Sequence, residues 1–292
     1  MKVVPGPASR ELGLKISDLL GIKATPLEFK HFPDGESYIR FSEEIQGEDV
    51  VIVQSTGPPQ DSNLLHLLLL VDAAKDIGAE TVTAVVPYVA YGRQEKRYRS
   101  GEAISSKTVF KLLKTIGVDS LISVDFHSPS LASFGNCFTN ITAMPELAKY
   151  MMRYGLVGAF SLAPDDGALE YVKATSKILQ GDFGWLDKTR DRITGEVETE
   201  LKALDVRDKD VVIFDDIIST GSTMVKAIRT AKEQGARRIF VACVHPLLVG
   251  GAKERILQGG ASMIVGTDSI QSSVSVVSLA PPIVEVLKEW LR

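Results

Sequence analysis

Short, mostly apolar runs rich in β-branched residues occur at 50–54, 81–86 and 120–125, separated by stretches at 63–77 and 106–116 whose apolar residues recur every three or four positions. This order predicts strands interleaved with amphipathic helices, the βαβ unit. Because the strand runs are mostly apolar rather than strictly alternating, both of their faces should be covered, as in a parallel sheet with helices on either side. After a helix over 144–154 the pattern restarts, with strands at 158–162, 210–214, 238–244 and 262–265 and helices at 168–179, 223–234 and 252–258. The chain therefore reads as α/β, with two tandem domains, each a mostly parallel sheet flanked by helices. Its 292 residues exceed the length over which one hydrophobic core usually extends. Turn residues at 139–145 set the expected domains at 1–142 and 143–292. At 282–292, Ile283, Val286, Leu287 and Trp290 fall at helical spacing, so a last helix should lay one face on a domain, with the N-terminal domain as a candidate.

Composition narrows the class without changing the architecture. A hydrophobic fraction of 45% and a charged fraction of 24% are ordinary for a packed globular chain. The net charge is −4 and no Lys/Arg run is present, which argues against nucleic-acid binding. Cys137 and Cys243 are too few and too far apart for a zinc knuckle or a disulfide framework, and both are expected as reduced core residues. The N-terminal residues show no apolar stretch followed by a small-residue cleavage site, so a cytoplasmic protein is expected. The most lipid-like run, 64–71, contains His66 and stops at Asp72, well short of the ~20 apolar residues of a spanning helix, so no membrane segment is expected.

The segment carrying most of the chemistry is 211–223, VVIFDDIISTGST: an apolar strand, two acids, and a small-polar loop opening a helix. In an open parallel sheet the ligand crevice lies beyond the carboxyl ends of the strands, where Asp215 and Asp216 are expected. Ser219, Thr220, Gly221, Ser222 and Thr223 are small enough for successive main-chain N–H groups to close around a phosphate at a helix N-terminus, with hydroxyls adding donors. Two carboxylates beside a phosphate repel it unless they face another part of the ligand. Ionised carboxylates only accept, so the vicinal hydroxyls of a sugar suit them. The implied ligand is a pentose phosphate. Neither G-x-x-x-x-G-K-[ST] nor G-x-G-x-x-G occurs in the chain, so a nucleotide would need other machinery.

That segment resembles the phosphoribosyl diphosphate motif of type I phosphoribosyltransferases and of ribose-phosphate diphosphokinases. Two α/β halves of similar length favour the diphosphokinase family, whose fold would be two tandem phosphoribosyltransferase-like (type I) domains. Further resemblances to that family run along nearly the whole chain. His31-Phe32-Pro33-Asp34-Gly35-Glu36 is similar to its nucleotide loop, which implies ATP contacts from Phe32, Asp34, Gly35 and Glu36. Tyr91-Gly92-Arg93-Gln94 is similar to its Arg-Gln segment, implying that Arg93 grips phosphates and Gln94 holds base or sugar. The segment 123–128, SVDFHS, resembles its Asp-x-His segment and implies His127 as a magnesium ligand, although imidazole is an unusual partner for hard Mg²⁺.

In the second half, Ala163-Pro164-Asp165-Asp166-Gly167-Ala168 resembles the family's diphosphate loop, with Asp165 sharing a magnesium ion. The family usually has a second glycine where this chain has Ala168, and often an arginine near Glu170 or Tyr171, which puts the shape of the cradle in question. Residues 186–192, LDKTRDR, in a polar stretch over 181–207 expected to form a hairpin around Gly195, resemble the catalytic flexible loop. This implies Lys188 and Arg190 as catalytic groups, Arg190 also reaching ribose 5-phosphate.

The resemblance as a whole implies transfer of the β,γ-diphosphoryl group of ATP to ribose 5-phosphate with Mg²⁺, in a homo-oligomer of at least two chains. Two rival readings remain: a base phosphoribosyltransferase, which would need a base-specific hood, and a non-catalytic regulatory homologue.

Overall fold

The computed structural model describes residues 1–126, 137–190, 197–200 and 204–290, with 187–190 and 197–200 described by their main chain alone. The chain divides into two compact units. The first comprises residues 1–142, 269–271 and 278–292, and the second residues 143–268 and 272–277.

The first unit runs β1 (Lys2–Pro5), α1 (Arg10–Leu20), β2 (Leu27–His31), β3 (Ser37–Phe41), β4 (Asp49–Val53), α2 (Gln60–Ile77), β5 (Thr81–Val86), α3 (Ser105–Thr115), β6 (Ser120–Val124) and β7 (Phe138–Ile141). A parallel sheet of order β1-β4-β5-β6-β7 forms its centre. Ile52, Val82 and Leu121 on neighbouring strands are fully buried with Leu70 of α2 and Leu113 of α3, so helical cover explains the mostly apolar strands. β2 and β3 pair antiparallel, from Leu27 opposite Phe41 to His31 opposite Ser37. This hairpin carries the 32–36 segment at its tip.

The second unit contains α4 (Met144–Arg153), β8 (Phe160–Ala163), α5 (Leu169–Leu179), β9 (Phe183–Trp185), β10 (Asp187–Arg190), β11 (Val197–Glu200), β12 (Asp210–Ile218), α6 (Ser222–Glu233), β13 (Arg238–Pro246), α7 (Ala252–Gly259), β14 (Met263–Thr267) and β15 (Ser275–Val277). Its parallel sheet has the order β15-β14-β13-β12-β8-β9. Val211 and Ile213 face one side of the central strand and Val212 and Phe214 the other, all fully buried, so this sheet too is covered on both faces. β10 and β11 pair antiparallel, Asp187 with Glu200 and Arg190 with Val197. The residues between them, Gly195 included, lie outside the described residues. The last helix, α8 (Ala280–Trp290), belongs to the first unit and packs on α1.

Two expectations need correction. The central strand does not stop at Phe214. β12 continues to Ile218 because β13 keeps pairing with it, Asp215 opposite Cys243 and Ile217 opposite His245, and that ladder outweighs the poor strand propensity of two aspartates. Cys137 is exposed, just before the edge strand β7, whereas Cys243 is buried in the second core.

Candidate active site

In the second unit the parallel strands β8 and β12 are adjacent, with Leu162 in register with Ile213, and β12 runs on past the end of β8 to Ile218. Asp165 follows the end of β8, and Asp215 and Asp216 lie in the part of β12 that extends beyond it, close enough for the charge of Asp165 to act on Asp215. Asp165 has extended backbone, and its Oδ1 accepts the N–H of Gly167 at 3.1 Å, closing a turn that leads into α5. Oδ1 of Asp215 accepts the N–H of Asp216 at 3.0 Å, and Oδ1 of Asp216 accepts the N–H of Ile217 at 2.7 Å. Burial first, and then the charges of Asp216 and Asp165, push the Asp215 carboxyl well above the usual carboxylate range. Burial, and then the charges of Asp215 and Asp216, also push the Cys243 thiol up, away from the thiolate form a nucleophile needs.

Beyond β12, Ser219, Thr220 and Gly221 form the loop and Ser222 opens the twelve-residue helix α6. Gly221 has φ +77°, and a Cβ there would stand 3.0 Å from Ile256 Cδ1 and 3.3 Å from Ala252 Cβ, so both backbone conformation and close packing require glycine. Thr220 Oγ1 and Ser222 Oγ lie 3.2 Å apart, with Ser222 at the first position of the helix. Among the described residues no acceptor takes the N–H of Ser219, Thr220 or Gly221. A run of free donors at a helix N-terminus binds an anion.

Hard carboxylate oxygens suit magnesium, which is typically held by one or two carboxylates together with waters and substrate phosphates. Among the described residues no three His, Cys, Asp or Glu side chains form a closed cage. After burial, the charges of Asp216 and Asp165 add to the rise of the Asp215 carboxyl, and a divalent cation would offset that part of it. Asp165 and its neighbours therefore fit a magnesium ion held in this open manner. His127 lies outside the described residues. Ala168, where the resemblance leads one to expect a glycine, has φ −94° and only 2% of its surface exposed, so its methyl group is buried without backbone strain.

In the first unit, the tip of the β2–β3 hairpin is closed by Phe32 N–H to the Glu36 carbonyl (2.8 Å), Gly35 N–H to the Phe32 carbonyl (2.9 Å) and Glu36 N–H to Asp34 Oδ1 (3.2 Å). Gly35 takes φ +97° there. Phe32 is 44% exposed, its ring meeting Tyr38 edge-on at 5.9 Å, so a flat apolar face is available for stacking. Arg93 is exposed. Gln94 Nε2 donates to Glu102 Oε2 (3.2 Å) and to the Lys96 carbonyl (3.1 Å). Glu102 also accepts the N–H groups of Arg99 and Tyr98, which hold its carboxyl below the usual range. Gly92 lies against Phe126, where a Cβ would be 2.5 Å from the ring. The fold thus joins the Arg93 segment to the end of β6, two elements that the sequence presents thirty residues apart.

Comparison with known proteins places this geometry. Residues 1–117 match the family model described as the N-terminal domain of ribose phosphate pyrophosphokinase, and residues 161–274 match the phosphoribosyl transferase domain. The ribose-phosphate pyrophosphokinase of Methanothermobacter thermautotrophicus is 43% identical over 97% of this chain and 98% of its own length. The chain belongs to the ribose-phosphate pyrophosphokinase family. The member of this family from Saccharolobus solfataricus is 40% identical over 92% of the chain and 93% of its own length. The crystal structure of the phosphoribosylpyrophosphate synthetase from Mycobacterium smegmatis superposes with a TM-score of 0.87 at 27% identity, covering 99% of this chain and 98% of that one. The architecture is accordingly that of two tandem phosphoribosyltransferase-like domains.

Sequence reasoning missed two groups in these units. Ser37 Oγ lies 2.7 Å from His66 Nε2 and 3.3 Å from His31 Nδ1, anchoring the hairpin to α2. Burial and the nearby His31 hold the His66 imidazole below its ordinary range. Arg255 of α7 donates to the main-chain carbonyl of Thr220 in the loop after β12. Neither contact has a local sequence signal, because each joins distant segments.

Proposed function

We propose that the chain is a ribose-phosphate diphosphokinase that makes 5-phosphoribosyl 1-diphosphate and AMP from ribose 5-phosphate and ATP, for nucleotide biosynthesis. The observation that carries this reading is the row of N–H donors at 219–221 that no acceptor takes among the described residues, separated from two acids by Ile217 and Ile218, in a chain whose other half matches the N-terminal domain of the pyrophosphokinase family. A base phosphoribosyltransferase has no use for that half, and the relatives cover nearly their whole length.

In this reading the 5-phosphate sits on the N–H groups and hydroxyls of Ser219 to Thr223, and Asp215 and Asp216 accept from the ribose hydroxyls. C1 is thereby held with its hydroxyl oriented for attack. That oxygen forms a bond to the β-phosphorus of ATP in line and gives up its proton to solvent, while the bond from the β-phosphorus to the α,β-bridging oxygen breaks and its electron pair leaves with AMP. Phe32 stacks on adenine, Asp34, Gly35 and Glu36 take its polar edge or the ribose, and Arg93 and Gln94 grip the rest of the nucleotide. Lys188 and Arg190 balance charge spreading over the phosphate oxygens, where preorganised cations act most strongly. Mg²⁺, when bound, supplies further neutralisation of the phosphates, with Asp165 and His127 as its protein ligands. The protein acts in the cytoplasm as a homo-oligomer of at least two chains. Among the described residues no helix is long and apolar enough to cross a membrane.

Incubation of the full chain with ATP, ribose 5-phosphate and Mg²⁺ should release AMP and phosphoribosyl diphosphate in equal amounts. AMP that appears without ribose 5-phosphate, or no AMP at all, would overturn the reading.

A further inference from the structure

The loop that follows β12 has three successive carbonyls, at Ile218, Ser219 and Thr220, that would repel a phosphate if they faced it. Each is taken by the segment between β13 and α7 or by α7 itself. Leu248 N–H donates to the Ile218 carbonyl at 3.0 Å, and Val249 N–H to the Ser219 carbonyl at 3.0 Å. Arg255 Nη2 donates to the Thr220 carbonyl at 2.7 Å, while its Nη1 donates to the Gly250 carbonyl. In a planar trans peptide the carbonyl of one residue and the N–H of the next point in opposite directions. Holding those carbonyls on the 248–255 side therefore turns the N–H groups of Ser219, Thr220 and Gly221 the other way, together. Among the described residues no acceptor takes any of these three donors.

We infer that the 248–255 segment is a clamp that aims this loop, and that Arg255 is a positioning residue for the 5-phosphate site. The inference rests on the assignment of the loop to the sugar phosphate. Two further observations support it. Leu248 adopts φ +46°, a left-handed conformation uncommon for a branched side chain, while its side chain packs on the core around Ile218. Gly221 packs directly on Ile256 and Ala252 of the same helix as Arg255, so loop and clamp meet through main chain and side chains at once. Leu248 and Val249 bond through main-chain N–H groups that almost any residue could supply. Arg255 alone in the clamp uses its side chain, and its planar fork spans two carbonyls, which a lysine ammonium does less well.

The test compares the full chain with R255A, R255K and T223A, using steady-state kinetics for both substrates and calorimetric titration of ribose 5-phosphate. R255A should weaken ribose 5-phosphate about tenfold in KM and Kd, about what one hydrogen bond to a charged group contributes, with KM for ATP unchanged. R255K should fall between R255A and the parent chain. Melting curves that superpose for all four proteins would show that the loss is not one of folding, as the exposed position of Arg255 leads one to expect. If T223A weakens the sugar phosphate but R255A does not, the clamp is wrong and the loop assignment stands. If T223A also leaves it unchanged, the loop assignment fails and the clamp fails with it.

Discussion

The main-chain N–H of Asp216 donates to the carboxylate of Asp215 at 3.0 Å, yet the Asp215 carboxyl still titrates well above the usual range, because burial and the charges of Asp216 and Asp165 oppose its ionisation. The sign of the consequence is fixed. A raised folded-state value means that the folded protein holds this proton more tightly than the unfolded chain does. Its contribution to stability is complete below the unfolded value of about 3.9 and is lost as pH rises through the folded one. The Asp215→Asn variant carries no such charge, so its melting temperature relative to the parent should climb as pH rises above the ordinary carboxylate range. The same variant should bind ribose 5-phosphate more weakly, because an amide accepts less strongly than a carboxylate. A pH-independent difference in melting temperature would remove the strained carboxyl, and unchanged sugar affinity would remove its role as acceptor.

Asp210, at the opposite end of the same strand, is the contrasting case. Arg237 and Arg238 each donate through Nε and Nη2 to its two carboxylate oxygens at 2.7–3.0 Å, Arg238 and then Arg237 holding the carboxyl far below the usual range. Its stabilisation is present above the unfolded value and lost as pH falls toward strongly acid conditions. The arginines are half exposed or more, so screening limits the gain, and Asp210→Ala should cost about 1–3 kcal/mol. Denaturant melts at pH 7 would show it. Because the residue lies at the amino end of β12, KM for both substrates should be untouched, and a rise in either would contradict a purely structural role.

Lys188 lies on β10, paired with Thr199 across the hairpin, so its backbone has a defined place although its side chain lies outside the described residues. Removing one cation aimed at the transition state costs on the order of 3 to 4 kcal/mol. Lys188→Ala should therefore lower turnover at least ~100-fold while leaving ribose 5-phosphate binding by calorimetry unchanged. Normal turnover in this variant would exclude the lysine from the mechanism.

Strands whose side chains are apolar on both faces were legible from pattern alone: β5 and β6 fall where the runs at 81–86 and 120–125 lie. The aspartates of β12 were not legible as strand, since nothing in their chemistry favours a pleat and only pairing with β13 keeps them there. The β2–β3 hairpin was also hidden. LEFKH and SYIRF alternate only partly, and no position is fully buried until Phe41. At the site, residues that contact ligand could be found because their side-chain chemistry is distinctive. Those that hold the loop in place, Leu248, Val249 and Arg255, act on main-chain carbonyls, and a carbonyl leaves no mark in a sequence.

Gly92 joins the Arg93 segment to the end of β6, and here packing rather than torsion demands glycine. A Cβ at this position would lie 2.5 Å from Phe126 Cε2 and 3.0 Å from Cζ, well inside van der Waals contact. Phe126 has little room to yield. Its ring is buried and meets Phe110 edge-on at 5.4 Å, and its main chain is tied to Asn140 by hydrogen bonds in both directions at 3.0 and 3.1 Å. In Gly92→Ala the strain should therefore fall on the looser partner, the exposed segment that begins at Arg93, at a cost of about 1–3 kcal/mol. If Arg93 and Gln94 hold the nucleotide, that displacement should raise KM for ATP while KM for ribose 5-phosphate stays where it was. A variant whose loss falls instead on ribose 5-phosphate would mean that this segment serves the sugar, and the assignment of the two substrates to the two halves would have to be reversed.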